Sequence, residues 1–309
     1  MSRRQAYLLL ALAALFWAAN PALGRFLVDS VPPVSLSFWR WTGALIVMTP
    51  LALPALWKQR ATLRQDWLAV LVLGFLSVAG FTTLVYVGLR YTTATNLSLL
   101  NATMPVMILI VARLLLGHAI GRQRLIGVAV CLAGVVLIVG QGSLATLLAV
   151  QVNPGDPIIL AAMLCWAAYS VLLARMKPRL PMLPFQLAAF AAGWFFLGLG
   201  FAWEVAAGTA WWPTLDVGWV PLVSLVFLAV FPSVLAFLFW QKGIEATSPG
   251  TAGYFIYLVP VFGTLLAVLT LGERLYWYHF AGMVAIFAGI WLAQRTTQRA
   301  PRPATSRTG

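Results

Sequence analysis

The sequence predicts an all-α integral membrane protein of ten transmembrane helices, arranged as two inverted five-helix repeats. Three observations predict it. Hydrophobic residues make up 62% of the 309 and charged residues only 9%, against roughly 25% charged in ordinary soluble domains. The apolar residues fall into ten runs, approximately 6–28, 33–56, 67–89, 93–116, 122–141, 156–176, 184–205, 218–241, 249–271 and 277–295. Each is close to the ~20 residues a helix needs to cross about 30 Å of hydrocarbon. The chain also repeats itself. At an ungapped offset of 155, ten of the 33 positions from Pro105 to Leu137 are identical, including Pro105-Val106 on Pro260-Val261, Gly117 on Gly272, Gly127 on Gly282 and Ala133-Gly134 on Ala288-Gly289. A chain of this composition would match at roughly three or four by chance.

The runs are too long for transmembrane strands, which alternate over about ten residues, and helices alone satisfy the backbone in lipid. Met1 to Arg4 followed by an apolar run resembles a secretory signal, but the run continues beyond Trp17 and reads as an uncleaved first helix. Asn20-Pro21 interrupts it about two-thirds of the way along. Span two carries Arg40 between Trp39 and Trp41, roughly 10 Å from its start at 1.5 Å per residue. Span three ends near Gly88, which the offset pairs with Gly243 in span eight. Pro105 interrupts span four and Pro260 span nine. Gly127 and Gly134 in span five, and Gly282 and Gly289 in span ten, form small-residue stripes suited to close helix packing.

Spans one and six share Leu15, Trp17-Ala18-Ala19 with Leu164, Trp166-Ala167-Ala168, at offset 149. The expected division is therefore 1–142 for the first half, 143–155 for a linker, 156–298 for the second half and 299–309 for a Pro- and Arg-rich tail. With five helices per half, the second copy must enter the bilayer from the opposite face.

The formal charge of +13 is dispersed over helix ends, and no nucleic-acid partner is expected. With the N-terminus in the cytoplasm, fifteen of the twenty basic residues fall inside. The positive-inside rule then puts both termini in the cytoplasm. The expected location is the inner (plasma) membrane, as a monomer in contact with lipid. Trp203, Trp211, Trp212 and Trp219 read as an interfacial belt, and Arg113 as a snorkelling side chain.

Polar groups inside the spans are few, so each carries weight. Trp17 and Asn20 lie three apart on span one, Ser98 and Asn101 on span four, Tyr254 and Tyr257 on span nine; Trp166, Tyr169 and Ser170 echo the first pair on span six. With Tyr86, Asn96 and Gln241 these are the candidate substrate-binding residues. Arg40 is the candidate gating or outer-mouth charge. Candidate hinges are Pro21, Gly88, Pro105, Gly243 and Pro260, because proline leaves carbonyls free and lets a helix bend. Helix packing and interhelical hydrogen bonds are the competing use for all of them.

No Asp or Glu lies deep in a span, so a carboxylate proton relay is not expected. Cys131 and Cys165 lack metal-ligand spacing, and His118 and His279 are 161 residues apart. No cofactor, metal or catalytic site is expected.

Ten spans, the five-plus-five repeat and two Pro…Leu-Gly patterns resemble the drug/metabolite transporter superfamily, specifically its EamA-type ten-helix exporters. The motif is carried by Pro260-Val261, Leu271-Gly272-Glu273, Gly282 and Gly289, and in the first half by Pro105, Leu116-Gly117, Gly127 and Gly134. His118 stands where the family has Glu, so no function is assigned to a first-half acid. The resemblance implies a central cavity lined by helices one, three, four, six, eight and nine, with five and ten peripheral. The Trp-rich, acid-poor interior looks most like amino-acid exporters of the YddG type. It implies export of aromatic and other neutral amino acids by alternating access, and no enzyme activity. A nucleotide-sugar or lipid carrier of the same superfamily is the alternative. An integral membrane enzyme on lipid-linked substrates is the alternative of another class.

Overall fold

A computed structural model describes residues 1–20, 23, 27, 31–117, 120–214, 218–271 and 274–295, with backbone alone at 94, 95, 267, 270, 271, 294 and 295. Among the described residues all regular structure is helical. The principal helices are α1 (Arg3–Ala18), α2 (Pro33–Lys58), α3 (Trp67–Leu89), α4a (Ala94–Asn101), α4b (Met104–Leu116), α5 (Arg122–Val139), α6 (Gly155–Met176), α7 (Met182–Ala206), α8 (Trp219–Ala246), α9a (Pro249–Tyr254), α9b (Leu258–Leu271) and α10 (Trp277–Arg295). Short helices Arg60–Gln65 and Leu144–Leu148 lie in the connections. Eight stretches are long and apolar enough to cross a bilayer. The apolar part of α10, Trp277–Ala293, is shorter. So is α1, whose 16 residues reach about 24 Å. Pro21 lies outside the described residues, as do His118, Glu273 and the tail.

Four irregularities recur at matching places. A π-helical stretch, Phe75–Gly80, interrupts α3, and another, Ala229–Leu235, interrupts α8, which the offset of 155 superimposes almost residue for residue. A turn at Ala102-Thr103 separates α4a from α4b, and a 3-10 turn, Phe255–Tyr257, separates α9a from α9b. Pro105 and Pro260 each stand just after these breaks, near the start of the following helix. There the missing N–H costs nothing, because first-turn donors have no intrahelical partner.

Packing obeys the same duplication. α2 packs on α7 and α5 on α10, while α1 lies against α8 and α9 just as α6 lies against α3 and α4. The α5–α10 contact is made by the predicted glycines. A Cβ on Gly127 would stand 2.7 Å from the Gly289 carbonyl, and one on Gly134 2.7 Å from the Gly282 carbonyl. The order reverses along the chain, so the two helices run antiparallel. Cys131 and Ile286, equivalent under the offset, meet at the centre of the contact through a thiol hydrogen bond to the Ile286 carbonyl at 3.4 Å.

Polar staples hold the helix ends. Asp156 at the start of α6 accepts from Thr92 Oγ1 at 2.6 Å, Asn96 Nδ2 at 3.2 Å and Asn153 N at 2.9 Å. The Glu204 carboxylate accepts from Ser35 N and Ser35 Oγ, tying the end of α7 to the N-terminal turn of α2, where the helix dipole favours an anion. Asp66 accepts from the backbone N–H of Arg179 and Leu180 at 2.6 and 2.8 Å. Of the predicted belt, Trp203, Trp212 and Trp219 are exposed, while Trp211 and Trp212 also contact α2: Trp39 Nε1 donates to Trp211 O at 2.9 Å, and the Trp39 ring packs on Trp212 at 5.6 Å with the planes tilted by 60°. Arg113 is exposed and bonds the Gly117 carbonyl at the helix end.

Candidate transport site

Between the broken helices lies a cavity lined by Trp17 of α1 and Asn20 just beyond its end, Phe81, Val85, Tyr86 and Leu89 of α3, Leu97, Asn101 and Met104 around the break in α4, Trp166 of α6, and Ile256 and Val259 around the break in α9. The pair Trp17 and Trp166, matched in sequence, meets edge-to-face at 5.0 Å between ring centroids. The cavity encloses about 60 Å³. It is a slot, too narrow for a solute until its walls move.

Its polar groups have room for a ligand. Asn101 makes no side-chain hydrogen bond among the described residues, and the buried Trp166 Nε1 has no partner. Trp17 differs, because its Nε1 donates to Pro232 O at 3.0 Å in the π stretch of α8.

Arg40 sits behind this wall at 3% exposure. Its placement begins with Pro232, which has no N–H to give the Leu228 carbonyl. The Ser233 hydroxyl donates there instead, at 2.7 Å, which turns its oxygen toward Arg40 Nε, held at 2.6 Å. Arg40 Nη1 donates to Tyr86 OH at 2.8 Å and to Asn20 Oδ1 at 3.4 Å. The guanidinium also lies over the Trp41 ring, 5.6 Å from its centroid. All these partners are neutral.

A second cavity opens at the end of the bundle that holds the N-terminus. It is wider, about 710 Å³, and its lining includes Leu173, Arg175, Lys177, Gln241, Glu245 and Ser248. Gln241 Nε2 donates to Glu245 Oε1 at 2.9 Å while its own Oε1 has no partner. A buried aromatic cluster separates the cavities. Trp166 touches Phe237 at 5.2 Å and Trp240 at 5.7 Å, Trp17 touches Trp240 at 5.3 Å, and Tyr169 packs on Trp166 at 5.2 Å.

Of the candidate substrate-binding residues, then, Trp17, Asn20, Tyr86, Asn101 and Trp166 share the first cavity. Gln241 lines the second. Asn96 is committed to Asp156 and Gln151 O, Ser98 is already partnered, and Ser170 accepts from Trp240 Nε1 at 3.3 Å. The hydroxyls of Tyr254 and Tyr257 are buried without a hydrogen-bond partner, that of Tyr169 is buried beside Gln186, and all three lie outside both linings. Gly88 and Gly243 stand at tight crossings, where a Cβ would meet Ile159 at 2.5 Å and Leu10 at 2.3 Å. Ser233, the apolar lining residues and the π stretches were not singled out in the sequence. Pro232 was the available signal for Ser233, since an interior proline frees a carbonyl that a neighbouring hydroxyl can reach.

The chain matches the sequence profile of the EamA-like transporter family twice, over residues 4–140 and 153–294. It is 27% identical over 297 residues to the uncharacterized transporter YyaM of Bacillus subtilis, covering 95% of this chain and 94% of that one. It is 27% identical over 276 residues to the aromatic amino acid exporter YddG of Ancylobacter novellus, covering 87% and 90%. A relative from Streptantibioticus cattleyicolor, named "probable terminal-alkyne amino-acid exporter", is 26% identical over 305 residues, 96% of each chain. A solved structure at 22% identity shares the fold, with a TM-score of 0.76 over 96% of this chain and 99% of its own. The chain is thus a multi-pass membrane protein of a family of transporters, not enzymes, and belongs to the EamA-like transporter family.

Proposed function

We propose that the protein exports aromatic and other neutral amino acids across the inner membrane, as a monomer, by alternating access between two inverted five-helix halves. The observation that carries the reading is the slot walled by Trp17, Trp166, Phe81 and Tyr86, with Asn20 and Asn101 beside them. Aromatic rings pair with an aromatic side chain at about 0.5–1.5 kcal/mol beyond area burial, and neutral amides such as Asn20 and Asn101 suit a zwitterionic end without trapping it.

Inversion is supported by the antiparallel α5–α10 contact and by the exchange symmetry of helix packing. Ten crossings follow if α1 and α10 span with the help of flanking residues. The positive-inside rule puts the wide cavity, with Arg175 and Lys177, on the cytoplasmic side together with both termini. Exchanging the halves maps Asn20 onto Tyr169, Tyr86 onto Gln241 and Leu89 onto Ile244. In the inward-open state these second-half residues line the site, and the Tyr169 hydroxyl and the unpartnered Gln241 oxygen receive the substrate there. Gly88, Gly243, Pro105 and Pro260 mark where α3, α8, α4 and α9 pivot.

The test is a binding screen of the twenty amino acids, a nucleotide sugar and a lipid headgroup against the purified protein. Aromatic amino acids should bind best, and weaken at least tenfold in Trp166→Ala. Selective binding of the nucleotide sugar or the headgroup would replace the amino-acid reading with the other carrier class.

A further inference from the structure

We infer that Arg40 is the anion anchor of the narrow cavity, and that the site takes a substrate bearing one carboxylate. This names the substrate class of the site proposed above and rests on that reading. The guanidinium is buried with only neutral partners, Ser233, Tyr86 and Asn20. No carboxylate lies within ion-pair distance of it among the described residues. Glu204, the acid bonded to the same helix, is committed to Ser35. Charges inside membrane proteins pair with one another or mark substrate pathways, and this one has no pair among the described residues.

Its position gives the charge access to the slot. Both residues bonded to Nη1, Tyr86 and Asn20, line the cavity. The Asn20 bond, at 3.4 Å, is the longest of the three and the first to yield when the slot widens. Nη2 makes no hydrogen bond among the described residues; one of its N–H groups, together with the Nη1 N–H that Asn20 releases, supplies the two parallel donors of the planar fork in which guanidinium binds a carboxylate.

The stoichiometry is one. Among the described residues no Lys or Arg lines this cavity, and Arg40, joined to it through Tyr86 and Asn20, is the one cation beside it, so a monoanion is balanced where a diphosphate is not. The anchor also lacks a counterpart. α2 begins at Pro33 and α7 at Met182, and that offset carries Arg40 onto Ala189. The carboxylate is therefore gripped in the state open to the narrow cavity and met by neutral groups in the other.

The experiment uses full-length protein in liposomes. Binding of 3-phenylpropanoate, its uncharged amide, phenylalanine and 2-phenylethylamine is compared in the unmodified protein, Arg40→Gln and Arg40→Lys. The unmodified protein should favour each carboxylate over its partner at least tenfold. Arg40→Gln should abolish the preference, and Arg40→Lys should cut it severalfold, since ammonium lacks the fork. If Arg40→Gln does not fold, Arg40→Lys decides alone. An unchanged preference in the folded variant, or none in the unmodified protein, overturns the anchor. Preference for the propanoate without flux of any amino acid keeps the anchor and rejects amino-acid export. Amino-acid flux that is blind to the carboxylate does the reverse.

Discussion

Trp17 and Trp166 are equivalent under the duplication and touch each other, yet their indole N–H groups have opposite fates. Trp17 Nε1 serves Pro232 O, while Trp166 Nε1 has no protein partner. Replacing each with Phe trims the same indole to a phenyl ring and removes the same donor. In Trp17→Phe the Pro232 carbonyl is left unsatisfied, at about 1–3 kcal/mol. In Trp166→Phe an unsatisfied donor disappears, so that term is absent. Trp17→Phe should therefore be the less stable variant by about 1–3 kcal/mol in matched thermal or denaturant unfolding in one detergent. Binding should follow the opposite order. If the Trp166 donor meets the ligand, its loss weakens binding by about 0.5–1.5 kcal/mol, a factor of about 2–12, in a fluorescence or calorimetric titration with an aromatic amino acid. Trp166→Phe that is as unstable as Trp17→Phe, with an unchanged Kd, would refute the reasoning, because the donor would then be serving the protein.

Three further outcomes follow from the packing. Gly134→Leu forces a side chain into the Gly282 carbonyl and Ile286, and should lower stability by about 1–3 kcal/mol in an unfolding titration; an unchanged midpoint would show that α5 and α10 do not pack this closely. Asp156→Ala removes the acceptor shared by Thr92, Asn96 and Asn153; a loss of about 2–4 kcal/mol is expected from several bonds to a charged group, with substrate affinity in the folded fraction unchanged. A fall in affinity larger than threefold there would return Asn96 to the binding site. In a background lacking Cys131 and Cys165, Tyr86→Cys and Gln241→Cys should change thiol reactivity in opposite directions when substrate is added. Parallel changes would exclude reciprocal opening of the two cavities.

Much of the architecture is legible because a membrane interior is chemically monotonous. Against a background of Leu, Ala and Val, matched glycines stand out, and Gly127, Gly134, Gly282 and Gly289 do meet one another. Trp17, Asn20, Tyr86, Asn101 and Trp166 are legible for the same reason. Asn96 shows the limit: its helical spacing is right, but Thr92 and Asp156 draw it into a staple that only the fold assembles. Ser170 is likewise claimed by Trp240. Phe81, Leu97, Met104, Ile256 and Val259 were invisible as lining, because residues facing a cavity and residues facing lipid have the same composition. The π stretch at Phe75–Gly80 contains no proline, and nothing in its residues distinguishes it from an ordinary turn of helix. Its partner in α8 contains Pro232, from which a defect is readable but not its effect on Ser233 and Arg40.

If two mirrored halves open one aromatic slot alternately to either side, the protein must catalyse counterflow. Purified protein in liposomes loaded with unlabelled tryptophan should take up labelled tryptophan from outside, saturably, beyond what protein-free liposomes take up, and Trp166→Ala should reduce the rate at least tenfold. Uptake indistinguishable from that of protein-free liposomes, for tryptophan and for the other aromatic amino acids, would contradict the account.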